Sequence, residues 1–267
     1  MTKNTAGQAG SIAWITGASS GIGAQTAQKL AAKGWHVAIT ARSSDKLAAM
    51  AAANDRLHVF AGDVTDPAAM TDIVTDIENR LGPIDLAVLN AGTYLPDGLE
   101  DFNVTRFHRQ YDVNVNGTAN ALAPVLERFR ARSKGHVAII ASVAGYRGLP
   151  RSLGYGSTKA ALINFCEALA IECADSAIKV QLVCPGFVKT PLTDKNDFPM
   201  PFLMPVERAA EKLVKGLESR RFEITFPWIF AFMLKMVRLL PHRFYIRMAA
   251  ATRPAANAPK DKRAKAP

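Results

Sequence analysis

Seven short apolar runs rich in β-branched residues punctuate the chain between Ser11 and Phe226, and longer alanine-rich segments separate them. The runs fall at 11–16, 36–40, 57–60, 84–89, 136–141, 178–184 and 222–226; helical patterns lie between them near 22–33, 44–53, 67–81, 104–132, 154–174 and 206–219. Continuous rather than alternating hydrophobicity means that the strands are covered on both faces. Such strands separated by helices specify a parallel, doubly wound α/β sheet. Right-handed crossovers then bring the carboxyl ends of the strands to one edge, where ligands bind. No linker or internal repeat divides residues 10–226, which read as one domain.

The 267 residues suffice for a sizeable core, and their 49% hydrophobic content excludes disorder for most of the length. Cys166, Cys173 and Cys184 have neither CxxC spacing nor paired histidines. They read as core thiols in a reducing compartment, without disulfide or metal. The N-terminus lacks the apolar stretch of a secretory signal, so a cytoplasmic location is expected. The net charge of +10 is unevenly placed: nine basic residues lie beyond Phe226 against Asp261 alone, leaving the body nearly neutral. A basic terminus implies an acidic surface as partner, and interleaved apolar residues favour anionic lipid over nucleic acid.

The first strand runs into Thr16-Gly17-Ala18-Ser19-Ser20-Gly21-Ile22-Gly23. Glycines there permit a tight turn that brings backbone N–H groups and a helix N-terminus to a pyrophosphate. From this TGxxxGxG loop onward, residues 10–226 resemble the short-chain dehydrogenase/reductase family. Further matches are Asp63-Val64, Asn90-Ala91-Gly92, Asn114, Ser142, Tyr155-x-x-x-Lys159, and Pro185-Gly186 followed by Thr190. Leu89 stands where family members usually carry a second asparagine. The resemblance implies a Rossmann fold, a nicotinamide cofactor and a carbonyl or alcohol substrate. It also implies Asp63 facing the adenine, Asn90 near its ribose, and Val64, Ala91, Gly92, Pro185, Gly186, Val188 and Thr190 around the dinucleotide. The resemblance likewise implies pairing through the long helices near 104–132 and 154–174 into a dimer or tetramer, and a C-terminal extension that blocks the tetramer contact makes a homodimer the expectation.

Cofactor choice can be argued from the end of the second strand. A carboxylate there would hold an unphosphorylated ribose; the chain instead has Thr40-Ala41-Arg42-Ser43. Arg42 suits a 2′-phosphate, with Ser43 and Ser19 adding hydrogen bonds, so NADP(H) is expected. Tyr155 and Lys159, four apart, share one helix face. A free phenol is a poor base at neutral pH, and a neighbouring ammonium favours its ionised form. Tyr155 is expected to move the alcohol proton, Ser142 to hold the carbonyl oxygen, and Lys159 to bind the nicotinamide ribose. By resemblance, Asn114 supports a water between Lys159 and solvent. His58, His108, His136 and His242 lack partners at ligand spacing, and Asp112 reads as a local cap.

Substrate identity rests on two weaker patterns. The segment after Pro185-Gly186 reads as an apolar lid carrying Phe187, Leu192, Phe198, Met200, Phe202, Leu203 and Met204, with Tyr146, Leu149 and Ser152 opposite. Residues 227–250 form an amphipathic segment in which Trp228, Ile229, Phe232, Met233, Met236 and Leu239 cover a broad arc, and Lys235, Arg238 and Ala231 share a narrow wedge. This apolar run is too short to cross a bilayer and suits an in-plane membrane segment or packing against the body or a second subunit. Residues 251–267 read as a disordered basic tail. Together these features point to a lipophilic substrate, with Phe187 and Leu192 beside Ser142 and Tyr155, met at the inner face of a membrane. Two alternatives stay open: a reductase of carrier-linked 3-ketoacyl groups, and a non-catalytic NADP(H) sensor.

Overall fold

The computed structural model describes residues 10–195 and 200–253. Seven parallel strands, β1 (Ile12–Thr16), β2 (His36–Thr40), β3 (Leu57–Val59), β4 (Ile84–Leu89), β5 (Gly135–Ile140), β6 (Ile178–Pro185) and β7 (Glu223–Phe226), form one sheet in the order β3-β2-β1-β4-β5-β6-β7. All seven runs predicted as strands are strands. The burial of β1 at all five positions is the structural counterpart of its continuous apolarity. The helices α1 (Gly21–Ala32), α2 (Ser44–Ala52) and α3 (Pro67–Leu81) follow the first three strands. α1 buries Gly23, Thr26, Ala27 and Leu30, and α3 buries Met70, Ile73, Val74 and Ile77. Both are stripes of helical period against a sheet face. Asp66 starts α3 by accepting a hydrogen bond from the N–H of Ala69, with Pro67 fixing the first turn.

The segment expected as one helix over 104–132 is three pieces: α4 (Val104–Tyr111), a π-helical turn (Asp112–Asn116) and α5 (Gly117–Ala131). The turn holds Asn114, which is fully buried and bonded across to the loop after β4. α6 (Leu153–Glu172) and α7 (Val206–Leu217) match their expected segments. Residues 227–250 are two helices, α8 (Trp228–Arg238) and α9 (His242–Ala251), broken before Pro241.

On α8 the broad apolar arc does not pack on the body. Of the narrow wedge, Ala231 is 2% exposed and half-buried Lys235 pairs with Glu223 on β7, while Arg238 stays exposed. The broad apolar arc is the outer surface. Arg147 holds the break, donating to the carbonyls of Val237, Arg238 and Leu240 while stacking 4.0 Å over the ring of Tyr245, whose hydroxyl donates to the carbonyl of Gly148. A guanidinium at a helix C-terminus satisfies carbonyls that have no intrahelical partner. Among the described residues, no helix is long and apolar enough to cross a membrane.

His136 is a packed histidine. It is buried, with its Nε2 2.8 Å from Oε1 of Gln181. Burial, and then the Lys179 ammonium, push its pKa down to about 3. The unfolded chain therefore binds a proton that the folded chain refuses, so the stability linked to His136 is full above about pH 6.5 and lost as pH falls below it. Its loss amounts to a few kcal/mol at most. Melting temperature should fall as pH drops from about 7 to 4.5, and fall less steeply in His136→Gln. Parallel pH profiles for the two proteins would refute this assignment.

Candidate active site

The strand order reverses at β1, which pairs β2 on one side and β4 on the other, and a crevice opens at that point. Three bonds stitch its floor. The N–H groups of Asn90 and Ala91 donate to Oγ1 of Thr16 at 3.0 and 3.1 Å, and Nδ2 of Asn90 donates to the carbonyl of Thr16 at 3.0 Å. Gly17 has φ +66°, and a Cβ there would stand 2.7 Å from Cα of Ala91. Only glycine fits. Gly23 serves packing as well, since its Cβ would lie 2.5 Å from Nδ2 of Asn90. Ser20, at the N-cap of α1, makes no side-chain capping bond, and the first turn of α1 holds no acid. The N-terminus of α1 thus keeps its positive dipole end for an anion.

A cavity of about 440 Å³ occupies this crevice. Gly17, Ser19, Ser20, Gly21 and Ile22 line one side, Arg42, Ser43, Asp63 and Val64 one end, and Asn90, Ala91 and Gly92 the floor. Pro185, Gly186, Val188 and Thr190 close it from β6. Gly23 alone among the residues expected around a dinucleotide does not line it. Arg42 is exposed and lies 3.8 Å from the Asp63 carboxylate, a loose pair that leaves its guanidinium available. Arg109, on α4, also lines the cavity and was not expected.

Ser142, Tyr155 and Lys159 meet at the far end. Oγ of Ser142 lies 3.3 Å from the carbonyl of Pro185 and accepts from the N–H of Ala144 at 3.1 Å. Nζ of Lys159 is buried, donates to the carbonyl of Ile140 at 2.9 Å, and sits 5.6 Å from the centre of the Tyr155 ring. Burial lowers the Lys159 ammonium to about 8. Burial raises the Tyr155 phenol to about 12, with hydrogen bonding to Ser142 pulling the other way. Asn114 is present but committed: Oδ1 accepts from the N–H of Thr93 at 2.7 Å, and Nδ2 donates to the Thr93 carbonyl and to Oγ1 of Thr158, each at 3.0 Å. Its side chain braces the loop after β4 against α6.

A second cavity, of about 620 Å³, begins where the first ends, and Ser142, Tyr155 and Gly186 line both. Phe187 and Leu192 lie in its wall as expected, with Leu149 and Ser152 opposite. Tyr146 does not line it; it is buried with its hydroxyl 2.5 Å from Glu223. In the expected lid, Met204 is buried and bridges Val188, Phe202 stacks beside Phe230 at 5.8 Å, and Phe198 lies outside the described residues. Sequence reasoning missed three further walls: Tyr94, edge-on to Tyr155 at 4.9 Å, and Phe230 and Leu234 on α8. Phe230 and Leu234 are spaced i, i+4 on either side of Ala231, a second apolar stripe that the outer arc conceals.

Comparison with known proteins agrees with this geometry. The family model for short chain dehydrogenases matches residues 11–199. The chain belongs to that family. An uncharacterized oxidoreductase of Myxococcus xanthus is 35% identical over 237 residues, covering 87% of this chain and 94% of its relative. Among solved structures, a short-chain dehydrogenase from Streptomyces avermitilis superposes with TM-score 0.78 at 26% identity, covering 91% and 96% of the two chains. ElxO, solved with NADP bound, superposes with TM-score 0.73 at 28% identity, covering 82% and 99%. As a short-chain dehydrogenase, the protein is an oxidoreductase of the CH–OH/C=O pair.

The helix that carries Tyr155 and Lys159 is capped from a distance. Ser152, at the N-cap of α6, makes no side-chain capping bond, and the Asp97 carboxylate accepts from the N–H of Gly154 at 3.0 and 3.2 Å. Asp97 is 1% exposed. It is a positioning residue, and Asp97→Ala should cost about 1–3 kcal/mol of stability. We expect kcat to drop with dinucleotide affinity unchanged, and Asp97→Asn to restore most of the loss. Equal losses in kcat and dinucleotide affinity would count against this role.

Proposed function

We propose that the protein is an NADP(H)-dependent oxidoreductase that interconverts a lipophilic ketone and its alcohol. The observation that carries this reading is the meeting of the two cavities at Ser142 and Tyr155: one the more polar and beside a helix N-terminus, the other walled by Tyr94, Leu149, Phe187, Leu192, Phe230 and Leu234. The open first turn of α1 and the anion-ready Arg42 beside Ser43 fit a dinucleotide bearing a 2′-phosphate, with no carboxylate on β2 to repel it. When bound, that dinucleotide supplies or accepts the hydride at the carbonyl carbon. Ser142 donates to the carbonyl oxygen as negative charge develops there. Tyr155 transfers the proton to that oxygen in reduction and takes it back in oxidation. Lys159, held by the Ile140 carbonyl, places positive charge close to the phenol and stabilises the phenolate left behind.

The raised phenol pKa sets the direction that neutral pH favours. A phenol at about 12 stays protonated and able to donate, while the phenolate needed for oxidation becomes more populated only as pH rises. Reduction should be nearly flat from about pH 6 to 8, and oxidation should climb across the same range. An oxidation rate that falls with pH would contradict the role given to Tyr155.

The chemistry is tested by NADPH oxidation with a panel of ketones in mild detergent. Long-chain and polycyclic ketones should turn over, small polar ones poorly. Tyr155→Phe should lose about 10²–10⁴-fold in kcat while still binding NADPH. Arg42→Ala should weaken NADPH about 10–100-fold and NADH little. Turnover confined to small polar ketones would keep the reaction and discard the lipophilic substrate. A homodimer in a reducing compartment is the proposed state, supported by exposed Phe165 and Ile171 on α6 and by three free, buried thiols. Light scattering should give twice the 28.8 kDa chain mass.

A further inference from the structure

α8 has two apolar faces, and only one is covered. Phe230 and Leu234 look inward as a wall of the substrate cavity. On the other side, Trp228 (66% exposed), Phe232 (55%), Met233 (50%) and Leu239 (76%) stand in solvent. α9 exposes Phe244 (63%) and Ile246 (61%) on its two flanks, while the side between them is fixed to the body through Tyr245. Large apolar side chains this exposed and this contiguous mark a contact surface, since scattered ones need no explanation but a patch does.

Charge selects the occupant. Arg243 and Arg247 are four apart, one α-helical turn, so they share a line on α9; Tyr245, midway between them, points into the protein, so that line faces directly away from it. Both arginines are exposed. Not one Asp or Glu occurs from Ile224 to Arg253, and the sequence beyond adds Lys260, Lys262, Arg263 and Lys265 against Asp261. An apolar face flanked by guanidiniums and free of carboxylates complements a surface that is apolar inside and anionic at its rim. A second copy of this face would instead set like charges against one another.

We propose that the outer face of α8 and α9 docks the protein on an anionic membrane, with α8 lying in the interface between the headgroups and the substrate cavity. Aromatic and aliphatic side chains enter the acyl boundary and the arginines stay at the phosphates. α8 is then one wall with two sides, lipid against Phe232 and Met236, substrate against Phe230 and Leu234. A ketone dissolved in the bilayer reaches the cavity by crossing a single helix edge rather than bulk water. Docking stands by itself; the shared wall rests on the lipophilic-substrate reading.

The test is flotation of the full-length protein with vesicles, alongside turnover of two ketones, one water-soluble and one dissolved in the bilayer. Wild type should float with vesicles of phosphatidylcholine mixed with phosphatidylglycerol, hardly with phosphatidylcholine alone, and release in high salt. Arg243→Gln with Arg247→Gln should weaken binding about 30-fold. Phe232→Glu with Met236→Glu should abolish flotation, leave turnover of the soluble ketone intact as proof of folding, and lower turnover of the bilayer ketone at least tenfold. Absence of flotation at low salt overturns the docking proposal. So does a glutamate variant that shifts only the oligomeric state, which would make the face an interface between copies. Flotation without turnover of the bilayer ketone, while the soluble ketone is reduced, upholds docking and overturns the lipophilic-substrate reading.

Discussion

Everything in the site depends on how closely the ends of β1 and β4 approach each other. Thr16 and Asn90 stitch the two strands together, and Gly17 permits it by having no side chain to place against Ala91. That contact opens the sheet at its switch point and aims the N-terminus of α1 into the opening. It also fixes where β5 and β6 end relative to β4, and so where Ser142 and Gly186 stand. Asn90, whose two side-chain donor bonds go to the carbonyls of Thr16 and Gly17, acts on the crevice as a clamp. A dinucleotide would meet its shape already formed.

The second constraint is the burial of a cation. Lys159 is 4% exposed and has one protein acceptor described, the Ile140 carbonyl. A charge held at that depth is expensive unless something negative shares its surroundings. The lowered ammonium and the raised phenol are two signs of the same burial, which favours the neutral form of each. Burial of that kind makes proton transfer by Tyr155 responsive to the charge of whatever fills the neighbouring cavity. It also demands that α6 be placed accurately, and the Asp97 cap and the Asn114 brace both act on that helix.

Much of this was legible in the sequence, for a physical reason. Buried parallel strands must be apolar throughout, so the seven strands announce themselves. A helix N-terminus that receives an anion must be glycine-rich, so the loop after β1 does too. Features that depend on distant partners did not show. The π turn at Asp112–Asn116 arises because Asn114 bonds Thr93, 21 residues before it, and Thr158, 44 residues after. The cap of α6 comes from Asp97, 57 positions before the N–H it accepts. His136 reads as an ordinary histidine until Gln181 is seen beside it on the neighbouring strand. Periodicity reports which face is apolar; it says nothing of which polar group will cross the fold to meet another.

The C-terminal helices show the same limit in its sharpest form. On a helical projection, the wedge holding Lys235 looks like the wet side of α8, because lysine is among the residues least often buried. Glu223 draws that lysine toward the body by offering a carboxylate on the last strand of the sheet, 12 residues earlier. Once Lys235 turns inward, Phe230 and Leu234 are carried with it to the substrate cavity, and Trp228, Phe232 and Met236 are left outside. One ion pair thus decides which apolar stripe of α8 lines the cavity and which faces outward.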